Sequence, residues 1–204
     1  LSPGRVTGRL CMLPSDTNGR AETAAGLGPA HEAARFRQVV EALAEELKAS
    51  AAKLESESMP DEAEILRTHV SMLRDPEFWR QVDQSIRDRL HPAVKAVEYV
   101  LGEMAAMLAA SPDPLMADRA GDFRDMAREL KARLAGGGDS GVDGCVRDVS
   151  DPILAATELL TSIVLKAREM GVRGFIVCQG TGMSHGAILA KSFGLPAVRV
   201  QSLD

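Results

Sequence analysis

Aromatic side chains are scarce in this chain of 204 residues, at 3%, with one Trp and one Tyr. Aliphatic and methionine side chains must therefore fill the interior, and an overall hydrophobic content of 45% is ordinary for a globular protein. Cysteine is equally sparse. Cys11, Cys145 and Cys178 stand isolated, with no C-x-x-C pair, so neither a metal cluster nor a disulfide framework is expected, and a reducing cytoplasm fits. Glu, Lys or Arg interrupts every apolar run well short of about 18 residues, which excludes a membrane-spanning helix, and no charged-then-apolar leader opens the chain. The start at Leu1 reads as a processed or excised piece. Positive charge is in deficit: the formal net charge is −5, which gives no electrostatic reason to expect nucleic-acid binding. P-loop and H-E-x-x-H patterns are missing, and Ser184 and His185, being adjacent in sequence, do not make a serine-hydrolase dyad. Glu45-Glu46 and the Glu62/Glu64 pair sit on helical faces and read as solvated charge.

What is present has two periods. Arg5–Leu13 reads as a strand and residues 14–29 as a turn-rich connection. From about Ala30 to Ala135 the apolar spacing is helical. Phe36, Val40, Leu43, Leu47 and Leu54 make one stripe, broken at Met59-Pro60-Asp61. Ile65, Leu66, His69, Met72 and Leu73 mark a second helix, and Phe78, Val82, Ile86 and Leu90 a third, ending at His91-Pro92. Pro92 is expected to open the next helix at its first turn. That helix carries Val94, Val97, Leu101, Met104 and Leu108 up to Ser111-Pro112. Met116, Phe123, Met126, Leu130 and Leu134 mark the last, from about Leu115, before the stop at Gly136-Gly137-Gly138. Beyond it the reading is a strand at Cys145–Val149, an amphipathic helix at Asp151–Met170, and strands at Gly174–Cys178 and Ala197–Val200. This order predicts a small α/β layer with a helical block inserted after its first strand. The expected boundaries are 1–29 with 139–204 for the α/β part and 30–138 for the helical part.

The run Gly180–Val200, GTGMSHGAILAKSFGLPAVRV, carries the chemistry. A glycine-rich turn delivers Ser184-His185 to a short apolar segment ending at Gly194 and Pro196. Ser184 is the expected N-cap. His185 then sits beside the unpaired N–H groups and positive end of a helix. The same N–H groups suit the oxygens of a transferred phosphoryl group. Spacing alone admits two readings, a phosphohistidine and a histidine that merely decorates a βα turn.

The run resembles the phosphohistidine signature of the phosphoenolpyruvate-utilising enzymes, with matches at Gly180, Ser184, His185, Ala187, Ile188, Ala190, Gly194, Pro196, Ala197 and Val198. Thr181, Met183 and Lys191 depart from it, replacing a glycine, a threonine and an arginine. Within that family the inserted helical block is similar to Enzyme I of the bacterial phosphotransferase system. Three segments strengthen this resemblance: LSPGRVTG at Leu1–Gly8, ILRTHVSMLRD at Ile65–Asp75 and RAGDFRD at Arg119–Asp125.

The resemblance implies an α/β phosphohistidine (swivelling) subdomain carrying an inserted all-α helical-hairpin subdomain that docks the small phosphocarrier protein HPr. It implies that His185 takes phosphate originating from phosphoenolpyruvate and passes it to a histidine of HPr, in sugar uptake or its regulation. Gly180, Ser184, Gly186 and Ala187 would support the phosphoryl group, and HPr contacts would fall near His69, Met72, Asp75, Glu77 and Phe78. The residues alone favour His69 as a core histidine on an apolar helical face and leave Met72 readable as core or surface. No cofactor or metal is expected in this segment. Phosphoenolpyruvate and Mg²⁺ would sit on a C-terminal barrel of the full-length enzyme, which 204 residues cannot also hold. Two alternatives stay open: a degenerate HPr-binding regulatory module, and an Enzyme I-like domain of a dihydroxyacetone-kinase phosphodonor.

Overall fold

Four short strands form one parallel sheet in the computed structural model, which describes residues 1–13, 28–113, 116, 119–135 and 140–203. The strands are β1 (Arg9–Met12), β2 (Pro152–Ala156), β3 (Gly174–Val177) and β4 (Ala197–Arg199), in spatial order β1-β2-β3-β4. Cys11, Leu154, Phe175 and Ala197 lie in one row across the sheet, and all four are buried. A parallel sheet needs crossover connections, and helices supply them here. The chain divides into two compact units, Leu1–Thr17 with Gly137–Asp204, and Asn18–Gly136.

The second unit is helical. It holds α1 (Pro29–Ser56), α2 (Pro60–Leu73), α3 (Pro76–Asp88), α4 (Ala93–Ala109) and α5 (Ala120–Leu134). Prolines open α1, α2 and α3 at the first turn, where a missing N–H costs nothing. The α1 stripe of Phe36, Val40, Leu43, Leu47 and Leu54 is buried, chiefly against α2, while α4 packs on α5. With so few aromatics, one cluster matters: Phe36 meets Phe78 and Trp79 edge-on at 5.7 and 5.6 Å between ring centres. Arg133 adds a half-buried ion network, bonding Glu129 at 2.9 Å and Glu46 at 2.7 Å. Burial alone would lower its pKa, but these hydrogen bonds raise it above the usual arginine value.

The first unit completes the sheet with α6 (Ser140–Val146), α7 (Thr161–Glu169) and α8 (His185–Ser192). α7 and α8 each follow one strand and precede the next. Lys166 of α7 reaches Asp143 of α6 at 3.3 Å, and Arg168 lies over the Phe193 ring at 4.3 Å.

Several expectations need correction. Cys145 closes a helix, α6, rather than opening a strand at Cys145–Val149. Asp151–Met170 is not one helix: Pro152–Ala156 is the inner strand β2, and α7 begins only at Thr161. The run PILAA buries four of its five side chains between neighbouring strands and helices, and a strand buried on both faces shows no alternation to distinguish it from helix. The first strand is shorter than Arg5–Leu13 because pairing with β2 begins at Arg9. Leu90 does not extend the α3 stripe. It follows the end of α3, at φ 56°, and is 71% exposed. Pro92 stands just ahead of α4, as its N-cap, rather than inside the first turn. The connection at 14–27, Leu115 and the glycine stop at 136–138 lie outside the described residues.

Candidate functional site

The turn between β3 and α8 stands at the carboxyl edge of the sheet, where open α/β sheets place ligands. Its entry is fixed by backbone: the N–H groups of Cys178 and Gln179 both donate to the Thr157 carbonyl, at 3.1 and 2.8 Å. This ties the end of β3 to the end of β2. Gly180 follows at φ 100°, a conformation that side-chain-bearing residues avoid. Its carbonyl accepts from the Arg199 guanidinium at 3.2 Å, so β4 braces the turn from the other side.

Thr181 closes the turn on itself. Its hydroxyl accepts from the Met183 N–H at 3.3 Å, and its carbonyl accepts from the Ser184 hydroxyl at 3.2 Å. Ser184 is the N-cap of α8, and its Oγ accepts from the Ala187 N–H at 3.3 Å. His185 is therefore the first residue of α8, half-buried, at the end where N–H groups emerge. The far end is closed by a glycine cap: Gly194 at φ 66°, with Leu195 N–H bonded to Ala190 O at 2.8 Å and Gly194 N–H to Lys191 O at 3.0 Å.

The expected support residues thus gather in one turn, with different freedoms. Gly180 shapes the backbone. The Ser184 hydroxyl and the Ala187 N–H already bond within the turn. Gly186 is buried against the segment before α7, where a Cβ would stand 2.0 Å from the Leu159 carbonyl oxygen. Arg199, Thr157 and Leu159 are contributors that sequence reading missed. The two last follow β2 directly, and reading that stretch as helix hid them. The strand-length run between Asp151-Pro152 and Thr157-Glu158 was the available signal.

The three departures fall in unequal places. Met183 is 82% exposed, so its side chain packs on nothing that a smaller residue would upset. Lys191 lies six residues into α8, roughly 9 Å along the axis from His185 at the usual rise, and is exposed. Thr181 serves the turn itself.

On the helical unit the five expected contact residues separate. His69 (5% exposed) and Phe78 (2% exposed) belong to the packed interior and not to a contact surface. Met72 is half-buried, while Asp75 and Glu77 are exposed. Asp75 caps α3, accepting from the Glu77 and Phe78 N–H groups at 2.7 and 3.2 Å. Glu77 accepts from Arg80 and Gln81, and these bonds hold its carboxyl down at about 2. Arg67, in the ILRTHVSMLRD segment, bonds Glu64 at 2.8 Å and Glu55 at 3.1 Å. Of RAGDFRD, Asp125 pairs one turn on with Arg128, an ordinary helical ion pair.

The family model described as PEP-utilising enzyme, N-terminal, matches residues 1–119. A second, described as PEP-utilising enzyme, mobile domain, matches residues 149–201, which contain the whole turn and α8. The phosphoenolpyruvate-protein phosphotransferase of Mycoplasma pneumoniae is 33% identical over 134 residues, which are 66% of this chain and 23% of that protein. Its counterpart in Enterococcus faecalis is 30% identical over 168 residues, 82% of this chain and 29% of that protein. A solved structure described as the N-terminal domain of Enzyme 1 - Nitrogen superposes with a TM-score of 0.68 at 24% identity, covering 97% of this chain and 80% of that one, and shows the shared fold. The chain spans less than a third of the length of the curated relatives it matches. With the N-terminal family model covering more than half of its length, the chain belongs to the PEP-utilising enzymes.

Proposed function

We propose that this chain is the phosphoryl-carrying part of a phosphoenolpyruvate-protein phosphotransferase, with His185 as the carrier residue. One observation carries the reading: His185 opens α8 behind a braced, capped turn at the carboxyl edge of a parallel sheet, inside the stretch matched to the mobile domain. In the transfer step an imidazole nitrogen bonds to phosphorus as the bond to the donor atom breaks. That donor is either the enol oxygen of phosphoenolpyruvate, leaving pyruvate after proton uptake, or a histidine nitrogen of an HPr-like carrier. Such a transition state asks for alignment and charge neutralisation more than covalent help. The Gly186 N–H, in the first turn of α8, is the backbone donor best suited to a phosphoryl oxygen, since Ser184 already holds Ala187.

Charging from phosphoenolpyruvate is assigned to a C-terminal barrel with its Mg²⁺, on the resemblance to Enzyme I. Among the described residues no three His, Cys, Asp or Glu side chains form a metal-binding group, and no step here passes through the ion. The HPr-like partner is assigned to the helical unit, where Met72, Asp75 and Glu77 offer an apolar and an acidic contact. Among the described residues no helix is long and apolar enough to cross a membrane, and a cytoplasmic setting follows from the reading.

Incubation with a phosphorylated HPr-like carrier tests it. The peptide containing His185 should gain about 80 Da in an acid-labile, base-stable form, and His185→Ala should gain none. Label retained by that variant overturns the assignment. A second reading, a module that binds the carrier without transfer, draws on Met183, which leaves no hydroxyl before Ser184-His185. Undiminished carrier affinity without any mass gain is its mark.

A further inference from the structure

Cys11 and Cys145, 134 positions apart in sequence, meet in the first unit. Cys11 lies in β1 on the row shared with Leu154, and is 6% exposed. Cys145 lies in the last turn of α6, the helix packed on β1, and is half-buried. The Cys11 thiol donates to the Cys145 carbonyl at 3.1 Å, and the Cys145 thiol donates to the Met12 carbonyl, next in the chain to Cys11, at 3.7 Å. Both are free thiols. Neither belongs to the turn that carries His185.

We infer that Cys11 and Cys145 form a reversible disulfide when the chain meets a low-molecular-weight disulfide such as oxidised glutathione. Two thiols that each reach the backbone beside the other, on packed elements, give the second step a high effective concentration. Cys145, the more accessible, enters first: its thiolate attacks one sulfur of the oxidant and expels one thiolate equivalent, leaving a mixed disulfide. The Cys11 thiolate then attacks the Cys145 sulfur and expels the other equivalent. Two protein thiols lose two protons and two electrons, and the oxidant becomes two thiols. Burial, and then the contact with Cys11, hold the Cys145 thiol up at about 11, so its thiolate is scarce at neutral pH and entry is slow.

The bond has a topological consequence. β1 precedes the helical unit in the chain and α6 follows it, so the link closes a loop containing all of Asn18–Gly136. It also ties β1, whose one neighbour in the sheet among the described residues is β2, to a helix. Cross-linking so long a loop restricts the unfolded chain more than a short one.

The test is oxidation of the whole chain with oxidised glutathione, alkylation of remaining thiols, and digestion without reductant. The expected product is one peptide pair joined through Cys11 and Cys145, an intact mass lower by about 2 Da, and an alkylated Cys178. Dithiothreitol should reverse it. The oxidised chain should melt higher by roughly 5 °C, and Cys178→Ser should behave identically. Cys11→Ser should instead accumulate a glutathione adduct on Cys145, and Cys145→Ser should form no internal bond. Alkylation of all three cysteines after oxidation, a persistent adduct on Cys145 in the unaltered chain, or linkage through Cys178 would each overturn the inference.

Discussion

Gly186 shows how one missing methyl group decides a site. A Cβ there would meet a backbone oxygen at 2.0 Å, and backbone cannot turn aside as a side chain can. Gly186→Ala should destabilise the first unit by about 1–3 kcal/mol and cut phosphoryl uptake, measured by denaturant midpoint and by mass gain at His185. Ser184→Ala should cost about 1 kcal/mol through loss of the cap, while Ser184→Asn should recover most of that in the same titration. Cys145 offers a third check. Its raised pKa keeps the thiol protonated through neutral pH, so alkylation should quicken about tenfold per pH unit from 7 to 10 and level near 11. A plateau by pH 9 in iodoacetamide trapping would contradict this. Ser184 and Gly194 were legible in the sequence because caps are local devices with short signatures. Leu159 against Gly186 and Arg199 on Gly180 were not, since each partner arrives from another element.

At the scale of elements, α3 shows how surface acids become engaged inside one turn. Arg80 and then Gln81 lower the Glu77 pKa to about 2. A depressed carboxyl favours the folded helix above its ordinary titration range, and that contribution disappears as pH falls toward 2. The carboxyl is fully exposed, so salt should weaken the effect. Arg80→Ala should raise the Glu77 pKa part of the way toward the usual carboxylate range, the Gln81 bond remaining, read by NMR of its side-chain carbons across pH 2–6. The aromatic cluster is the opposite case, an effect of packing. Phe36→Ala strips the partner of both Phe78 and Trp79, and should cost about 3–5 kcal/mol in chemical unfolding. The helices were read correctly where polar and apolar residues alternate with helical spacing. β2 was misread because an inner strand is apolar on both sides, and its identity depends on β1 and β3 pairing with it.

At the scale of the whole chain, the two units differ in how they are encoded. The helical unit is one continuous stretch, Asn18–Gly136, with its own buried stripe along α1. Expressed alone it should melt cooperatively by circular dichroism, as a domain with a private core does. The sheet unit is assembled from both sides of that insertion. Removing Leu1–Thr17 deletes β1 and exposes one edge of β2, so the remainder should lose its cooperative transition.

The sequence by itself determined the helical stripes, the break at Pro60, the caps at Ser184 and Gly194, and the place of His185 at the start of a short helix. These are set by neighbours within a few residues, so periodicity and capping chemistry reveal them. Only the tertiary structure decided that Pro152–Ala156 is a strand, that Gly186 lies on Leu159, and that Cys11 bonds the backbone of Cys145. Each of these depends on which distant segment arrives alongside, and local spacing carries no record of that.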